Sequence, residues 1–315
     1  MLKRADRPEV SVVIPCRNEE ENAKPIADAV MGQLETVGCT FDIIFVDNGS
    51  TDGTVPVIRE MCARDPRIKL IVNTRNFGQM RGPTHGILKA SGRAVIGVVA
   101  DFQDPPELIP QFIERWRNGA DIVLGVSDAK KVSPFFAACR KVSYWLQRKF
   151  GDHPIIPNAT GFGLYDARVV RAIAALNEPE PFLRALLVET GYRIETILFK
   201  RPPRAAGKSK NNFFTLLDFA LSGFASTSKG LLRAPLYIGF FSGTLTVFTL
   251  IGALVALLLG GSVELWLWAA AIELQFTLLF LFLGFLGVQV RLISDRTRGT
   301  PLVIERERVN FPEDE

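Results

Sequence analysis

The feature that most restricts how this chain can fold is a pair of long apolar segments in its last third. The segment Ala234–Gly261 contains no charged side chain, and Leu265–Val290 contains one, Glu273. About 20 apolar residues in a helix cross the ~30 Å hydrocarbon core of a bilayer, whereas helices of soluble proteins carry a polar face. We therefore predict a two-helix transmembrane hairpin at about 234–261 and 265–290, within a membrane region of 234–293.

Basic residues flank both ends of the predicted hairpin. Lys229 and Arg233 precede it, and Arg291, Arg296 and Arg298 follow it. Because Lys and Arg are enriched on the cytoplasmic side of membrane proteins, we expect a multi-pass protein whose N-terminal domain and both termini are cytoplasmic, with residues 294–315 forming a tail.

A second apolar pattern lies just before the hairpin, within residues 206–233. Phe213, Leu217, Ala220 and Phe224 recur at helical spacing and form one apolar stripe. The stripe predicts amphipathic helices lying in the membrane interface. A helix that packs against a protein core would carry the same stripe, and this alternative stays open.

Short apolar runs alternate with helical patterns through the first 125 residues. We predict strands at 10–14, 41–46, 68–72, 94–100 and 121–125, with helices at 19–37, 52–64, 76–91 and 108–118 between them. Strict alternation is typical of an α/β fold with a mostly parallel, doubly wound sheet, which we place at 1–205. Such sheets bind ligands at the carboxyl ends of their strands.

Composition adds little to this interpretation. The formal net charge is +4, too small to indicate a nucleic-acid partner, and none is predicted. The four cysteines are scattered without a CxxC pair, so we expect free thiols. Glu273 would be costly at membrane depth. A homo-oligomer, in which a neighbouring subunit pairs with it, is therefore among the expected assemblies.

Two motifs follow the first two predicted strands. The first, Pro15-Cys-Arg-Asn-Glu-Glu20, joins a strand end to an acidic helix start, and the second, Asp47-Asn-Gly-Ser-Thr-Asp-Gly53, puts a carboxylate at a strand end before a turn. Asp47 is able to accept hydrogen bonds from a base or a ribose there. An ordinary capped turn would have the same sequence, so this segment alone does not decide between them.

A third motif, Asp101-Phe-Gln-Asp-Pro-Pro-Glu107, follows the fourth strand. In an extended segment, residues two apart point to the same side, so we expect Asp101 and Gln103 to share a face. Two oxygen donors on one face suit a hard divalent cation that bridges a diphosphate.

In this order and spacing, the three motifs resemble family 2 glycosyltransferases of the GT-A fold, a Rossmann-like fold. The resemblance extends from Val10 to about Val290 and is strongest to the polyprenyl-phosphate glycosyltransferase branch, which includes dolichol-phosphate mannose synthases and bacterial undecaprenyl-phosphate glucosyltransferases. The DFQDPPE run and the later Arg204-Ala-Ala-Gly-Lys-Ser-Lys210 are specific to that branch.

The resemblance implies an inverting glycosyltransferase of the hexosyltransferase class in the bacterial cytoplasmic (inner) membrane. It would move a sugar from a nucleotide-sugar, by resemblance a UDP-sugar, to undecaprenyl phosphate for cell-envelope glycans. Residues that would contact the nucleotide-sugar are Pro15, Arg17, Glu19 and Asp47. Asp101 and Gln103 would hold Mg²⁺ or Mn²⁺ against the donor diphosphate.

The acceptor phosphate would meet basic residues near the membrane. The resemblance assigns this role to Arg204, Ser209 and Lys210, with help from Arg140 and Lys141. Guanidinium and ammonium groups suit phosphate. A basic patch attracted to anionic membrane lipids would have the same composition. The two readings are compatible, because the acceptor phosphate lies in the headgroup layer.

The chain departs from the family pattern at two places. Many relatives have Asp-Ala-Asp where this chain has Val99-Ala100-Asp101, and an Asp-Phe-Arg run where it has a stretch that includes Gly161. Two explanations are open. In the first, Asp104 or Asp166 replaces a missing acid, and we therefore count both, together with Asp101, as catalytic candidates. In the second, metal binding and turnover are weakened.

Two other functions remain open. The acceptor of the sugar could instead be another lipid or a polysaccharide. The missing acids would also fit a catalytically weakened scaffold that binds a nucleotide-sugar.

Overall fold

The computed structural model describes residues 7–128, 158–202 and 301–312, together with residue 156 and scattered positions between 272 and 299. Its centre is an eight-stranded sheet with the order β7-β5-β6-β4-β1-β2-β3-β8. The predicted interfacial helices at 206–233 and the first predicted span at 234–261 lie outside the described residues.

Within residues 7–128, 158–202 and 301–312, the structure has eight strands and six α-helices. The strands are β1 Val10–Cys16, β2 Phe41–Asp47, β3 Ile68–Asn73, β4 Ala94–Gly97, β5 Ile122–Ser127, β6 Ala159–Asp166, β7 Ile194–Phe199 and β8 Glu305–Val309. The helices are α1 Glu20–Val37, α2 Thr54–Arg64, α3 Gly78–Lys89, α4 Ile109–Arg117, α5 Ala167–Leu176 and α6 Leu183–Glu189. A 3₁₀ turn, Pro106–Leu108, leads into α4.

The sequence predicts a mostly parallel sheet; the observed sheet is mixed, with four parallel and three antiparallel pairs of neighbouring strands. Strands β1 to β4 are parallel, as are β5 and β7. However, β6 runs antiparallel between β4 and β5, and β8 runs antiparallel beside β3. The α/β fold is confirmed, and the five predicted strands all exist. The prediction that β4 extends to residue 100 is wrong, since the strand ends at Gly97.

Helices cover both faces of the sheet. On one face, α1, α2 and α4 pack on residues such as Ile14 and Phe45, and on the other, α3, α5 and α6 pack on residues such as Val13 and Tyr165. A Cβ atom at Gly86 would lie 2.5 Å from Cγ2 of Val46. Glycine at this position therefore lets α3 approach the sheet closely.

The C-terminal residues belong to the domain instead of forming a separate tail. Strand β8 pairs with β3 from Leu70 to Asn73. The amide of Asn310 donates to the carbonyl oxygens of Cys62 and Ile68, at 2.7 and 2.8 Å. On the α3 side, His85 contacts the carboxylate of Glu305. The tail predicted at 294–315 thus includes an edge strand of the sheet.

The chain leaves the sheet after β7 and re-enters it at β8, both on the side where the parallel strands have their carboxyl ends. Strand β7 runs in the direction of β4, so Lys200 emerges where β1, β2 and β4 end. Strand β8 runs the other way and begins there, with Glu305 opposite Asn73. Because β7 and β8 are the two outer strands, these points lie roughly 34 Å apart at about 4.8 Å per strand.

A few positions of the second predicted span are described. Those between 272 and 297 are helical, and exposed apolar side chains occur at Ile272, Leu274, Leu279, Phe282, Leu286, Val290 and Ile293. Within the described part of the chain, no helix has both the length and the apolar character needed to cross a bilayer.

Candidate functional site

The loops that follow β1 and β2 are hydrogen-bonded into one unit. The Asn18 amide donates to Oγ of Ser50 at 2.9 Å, and the Thr51 amide donates to Oδ1 of Asn18 at 2.8 Å. The Glu19 amide donates to Oγ1 of Thr54, also at 2.9 Å. These contacts bring the first two motifs together at the carboxyl edge of the sheet.

Asp47 ends β2 inside this unit and is almost fully buried. Its Oδ2 accepts hydrogen bonds from the amides of Gly49 and Ser50, both at 3.1 Å. Its Oδ1 is buried and has no hydrogen-bond partner within the described residues. A buried polar atom without a partner costs about 1–3 kcal/mol. This oxygen is therefore available to a ligand that brings a donor.

The other predicted nucleotide contacts lie in the same region but are more accessible. Pro15 and Glu19 are partly exposed and Arg17 is exposed. Glu19 accepts a hydrogen bond from the side chain of Asn22, at 2.7 Å. The structure thus brings Pro15, Arg17, Glu19 and Asp47 to one place, with Asp47 at its base.

Sequence reasoning missed Asn48, which ties this unit to its neighbours. Its Nδ2 donates to the carbonyl of Gly78 at 2.8 Å, and its Oδ1 accepts from the amide of Phe77 at 2.9 Å and from Nδ2 of Asn73 at 3.3 Å. One side chain therefore joins the ends of β2 and β3 to the start of α3. Its position directly after Asp47 was the only available signal.

The candidate metal loop follows β4 and is a turn, not an extended segment. The Gln103 amide donates to Oδ1 of Asp101 at 3.1 Å, and Phe102 has a φ of 58°. The prediction that this segment is extended is therefore wrong, and the turn instead places the backbone amide of Gln103 against the carboxylate of Asp101. Asp101 is buried and Gln103 is partly exposed.

The donors of this loop fit a divalent cation. Mg²⁺ is commonly held by one or two protein oxygens, with substrate phosphates and waters as its other ligands. A carboxylate and a side-chain amide meet that need. No group of three or more His, Cys, Asp or Glu side chains that could hold a metal is found among the described residues.

Asp104 turns back from this loop into the protein. It is buried, and its Oδ2 accepts from the Val99 amide at 3.4 Å. Nη2 of Arg201, just beyond β7, lies 3.8 Å from its Oδ1. Burial raises the pKa of Asp104 to about 7, against the opposing effect of Arg201. Asp104 is therefore beside the metal loop, as required of a catalytic candidate.

Asp166 lies at the other edge of the sheet. It pairs with Ala94 at the start of β4, whereas Gly163 pairs with Gly97 at its end. Gly161 lies beside Gly97 at the carboxyl end of β4, where a Cβ at Gly97 would be 3.3 Å from the carbonyl oxygen of Gly161. Asp166 is roughly 17 Å farther along β6, at about 3.4 Å per residue. Asp166 therefore does not join the candidate site and does not replace the missing acid.

Asp166 has a structural role instead. Its Oδ1 caps α5 by accepting from the Arg168 amide at 2.8 Å, and its Oδ2 accepts from Nε1 of Trp116 at 2.9 Å. Burial opposes its ionisation, but these hydrogen bonds outweigh burial and hold its pKa below the usual value. A side chain engaged in this way serves to join α4 to α5.

The predicted phosphate-binding residues lie outside the described residues. This applies to Arg140, Lys141, Arg204, Ser209 and Lys210. Three of the four cysteines, Cys16, Cys39 and Cys62, are free and buried, as expected, and the fourth lies outside this part of the chain.

Comparison with known proteins identifies the family. The model for glycosyl transferase family 2 matches residues 11–171, more than half of the chain. The uncharacterized glycosyltransferase YkcC of Bacillus subtilis (strain 168) is 30% identical over 93% of this chain and 92% of its own length. The bactoprenol glucosyl transferase of Shigella phage SfV is 34% identical over 75% of this chain and 78% of its own.

A solved structure agrees at the level of the fold. Glucosyl-3-phosphoglycerate synthase from Mycobacterium tuberculosis, in complex with Mn²⁺, UDP and phosphoglyceric acid, is similar with a TM-score of 0.51 and 18% identity. The match covers 73% of this chain and 79% of that protein. With its GT-A-like mixed sheet, this chain belongs to glycosyl transferase family 2 and is a glycosyltransferase.

Proposed function

We propose that this enzyme transfers a sugar from a UDP-sugar to a polyprenyl phosphate, such as undecaprenyl phosphate, at the cytoplasmic face of a bacterial inner membrane. The observation that carries the proposal is the convergence at one sheet edge of the Asp47 unit, the Asp101 loop and the point where the chain departs toward its apolar segments. A relative that is 34% identical is named a bactoprenol glucosyl transferase. This name supports a polyprenyl phosphate as the acceptor.

The donor nucleotide would bind at the joined loops after β1 and β2. The unpartnered Oδ1 of Asp47 would accept a hydrogen bond from the base, beside Pro15, Arg17 and Glu19. The glucosyl-3-phosphoglycerate synthase of similar fold was solved in complex with UDP, which supports this choice of nucleotide. Such a position would leave the diphosphate near the metal loop.

Asp101 and Gln103 would hold the divalent cation, Mg²⁺ or Mn²⁺, against that diphosphate. When bound, the cation neutralises charge that develops on the departing diphosphate. The hydrogen bond from the Gln103 amide to Oδ1 of Asp101 holds the carboxylate of Asp101 in place before substrate arrives. Preorganisation of this kind avoids a reorganisation cost during the reaction.

The acceptor phosphate would be bound by Arg204, Ser209 and Lys210, aided by Arg140 and Lys141. Arg204 is three residues from Arg201, so its Cα is at most about 11 Å from that of Arg201. Because Arg201 contacts Asp104, the basic segment begins within reach of the metal loop. A phosphate bound there would be close to the donor sugar.

The transfer requires one bond exchange. An oxygen of the acceptor phosphate forms a bond to the anomeric carbon while the bond from that carbon to the donor diphosphate breaks, and the diphosphate keeps the electron pair. The configuration at carbon inverts. Since the acceptor phosphate is already ionised at neutral pH, a strong general base is less necessary than for a hydroxyl acceptor, and positioning supplies much of the rate.

The positions of β7 and β8 support the proposed membrane hairpin. Strand β8 lies in the same sheet as β7, so any part of 203–300 that crosses a bilayer must cross it an even number of times. The predicted hairpin at 234–293 satisfies this condition, and the exposed apolar side chains between Ile272 and Ile293 suit lipid contact. The flanking Lys and Arg residues favour the cytoplasm for the domain.

The test is a donor panel assayed with the full chain in membranes. Radiolabelled UDP-sugars, with GDP-mannose as a further arm, are incubated with undecaprenyl phosphate. We expect one donor to place label in a chloroform-extractable, mild-acid-labile lipid. Transfer only to diacylglycerol or to polysaccharide would support the other-acceptor alternative, and UDP binding without any transfer would support the scaffold.

A further inference from the structure

Arg201 is held at the metal loop by a buried acid. Nη2 of Arg201 lies 3.8 Å from Oδ1 of Asp104, whose side chain is 3% exposed, while that of Arg201 is 26% exposed. In this arrangement the carboxylate lies behind the guanidinium, and part of the guanidinium remains accessible to a ligand.

The contact with Asp104 leaves hydrogen-bond donors of Arg201 unused within the described residues. A separation of 3.8 Å is too long for a hydrogen bond. Neither Nε of Arg201 nor Oδ1 of Asp104 has a hydrogen-bond partner among the residues described here. A guanidinium offers five N–H donors in a planar fork that suits phosphate. Arg201 is thus a cation with free donors beside the loop proposed to hold the diphosphate.

The position of Arg201 is imposed by packing. It follows β7, an outer strand, yet it contacts a residue that follows β4, with β5 and β6 between them. Phe199 at the end of β7 packs edge-on against Phe162 of β6, with ring centroids 5.6 Å apart, and Phe162 packs in turn on Phe112, at 4.8 Å. This row of rings supports the chain as it turns toward the metal loop.

The local charge also favours an anion at Arg201. Asp104 lies at this loop, and Arg201 is the one Lys or Arg that forms an ion pair with its carboxylate in the described residues. A divalent cation together with a substrate phosphate would add nearly balanced charge. The guanidinium then has two anionic partners, the carboxylate behind it and the phosphate in front.

We propose that Arg201 is a phosphate-binding residue of the transfer site and that Asp104 is the positioning residue that holds its guanidinium there. This inference rests on the proposed function, because the phosphate belongs either to the nucleotide-sugar or to the polyprenyl acceptor. The shared chemistry is a phosphate oxygen accepting from a guanidinium N–H.

The first experiment measures binding without any acceptor. Calorimetry with Mn²⁺ compares UDP with uridine, which lacks the phosphates, for the full-length wild type and for Arg201→Ala, Arg201→Lys and Asp104→Asn. If the donor diphosphate is the ligand, we expect Arg201→Ala to raise the Kd for UDP by about tenfold, the loss of one charge-assisted hydrogen bond, with that for uridine unchanged. Arg201→Lys should recover part of the loss, because it retains the charge.

The second experiment measures the KM for undecaprenyl phosphate at saturating donor. If the acceptor phosphate is the ligand, Arg201→Ala should raise this KM by about tenfold and leave the Kd for UDP unchanged. Arg193→Ala is the matched control, since Arg193 precedes the same strand at the opposite edge and is 67% exposed. Asp104→Asn should shift the same parameter as Arg201→Ala, and the double variant should be no worse than Arg201→Ala.

The inference is overturned if Arg201→Ala changes neither the Kd for UDP nor the KM for undecaprenyl phosphate. If that variant only lowers thermal stability, and the Kd values for UDP and uridine and the KM for the acceptor stay at their wild-type values, the Arg201–Asp104 pair is only structural. An equal rise in the Kd values for UDP and uridine in Arg201→Ala would also contradict the inference, because uridine has no phosphate. A wild-type protein that binds UDP but uses no polyprenyl phosphate would refute the proposed acceptor, and the first experiment would still decide the role of Arg201.

Discussion

Arg59 on α2 binds Glu307 on β8 across 248 positions of the chain, with Nε 3.1 Å from Oε1. This ion pair lies on one face of the sheet, and the contact between His85 and Glu305 lies on the other. The C-terminal strand is therefore fastened on both faces to the edge of the domain. A chain that leaves the domain after β7 must return to it, which makes β8 part of the catalytic unit.

The docking of β8 should contribute measurably to stability. Asn310→Ala removes two hydrogen bonds to backbone carbonyls and also a residue that tolerates the φ of 61° found there. We expect the free energy of unfolding to fall by about 1–3 kcal/mol, read as a lower Tm in detergent. Asn310→Gly, which keeps the backbone freedom, should be less harmful. Wild-type Tm values for both variants would mean that β8 is dispensable.

Removal of divalent cations should stop sugar transfer. EDTA should abolish product formation, and Mn²⁺ or Mg²⁺ should restore it. Asp101→Asn should lower kcat by about 100-fold or more, because charge on the leaving diphosphate would be poorly neutralised, and should raise the Mn²⁺ concentration that gives half-maximal rate. Asp65→Asn, at the opposite edge of the sheet before β3, is the control. Full activity of Asp101→Asn in EDTA would exclude this role.

Asp47→Asn should weaken nucleotide binding without unfolding the loop. Asparagine keeps one oxygen for the turn that Gly49 and Ser50 close but loses the charged acceptor. A hydrogen bond to a charged group is worth about 1.5–3 kcal/mol, so the Kd for UDP should rise by at least about tenfold. If the base is the partner of Asp47, the Kd for uridine should rise by the same factor. An unchanged Kd for both UDP and uridine would exclude Asp47 from the site.

Asp166→Ala should show that the role of Asp166 is structural and not catalytic. Loss of the helix cap should cost about 0.5–2 kcal/mol of stability, and Trp116 would lose its acceptor. The kcat of the folded fraction should remain at the wild-type value, because Asp166 lies at the edge away from the metal loop. A drop in kcat comparable to that of Asp101→Asn would restore Asp166 as a catalytic candidate.

The pH dependence of stability provides an independent check on Asp166. Its pKa is lowered in the folded state, so the stabilisation is present above its unfolded pKa of about 4 and is lost as the pH falls through the folded value. The difference in unfolding free energy between the wild type and Asp166→Asn should be constant above about pH 5 and shrink below about pH 4. A difference independent of pH would show that the charge contributes nothing.

The elements that could be predicted from sequence are those with strong local patterns. Alternating apolar runs located β1 to β5, and Asp47 and Asp101 were expected at the carboxyl edge because parallel strands end together. In contrast, β8 has the charged sequence Glu-Arg-Glu-Arg-Val, whose pairing depends on partners almost 240 residues away. Local pattern carries no signal for such a strand.

The site was less predictable than the fold because its geometry depends on turns and distant contacts. The left-handed φ of Phe102 and the early end of β4 convert the expected extended segment into a turn. Asp166 was expected at the site because it is near Gly161 in sequence, but the antiparallel direction of β6 carries it to the opposite edge. Arg201 reaches Asp104 only because the chain turns over two strands.

The central claim is tested most directly by single-turnover transfer with purified protein, Mn²⁺, undecaprenyl phosphate and the radiolabelled UDP-sugar that serves as donor. We expect one sugar to be transferred per enzyme to a lipid that mild acid cleaves, with the inverted anomeric configuration seen by NMR of the intact glycolipid, and no transfer by Asp101→Ala. Label that stays in the aqueous phase with every donor, while UDP binds normally, would contradict the account.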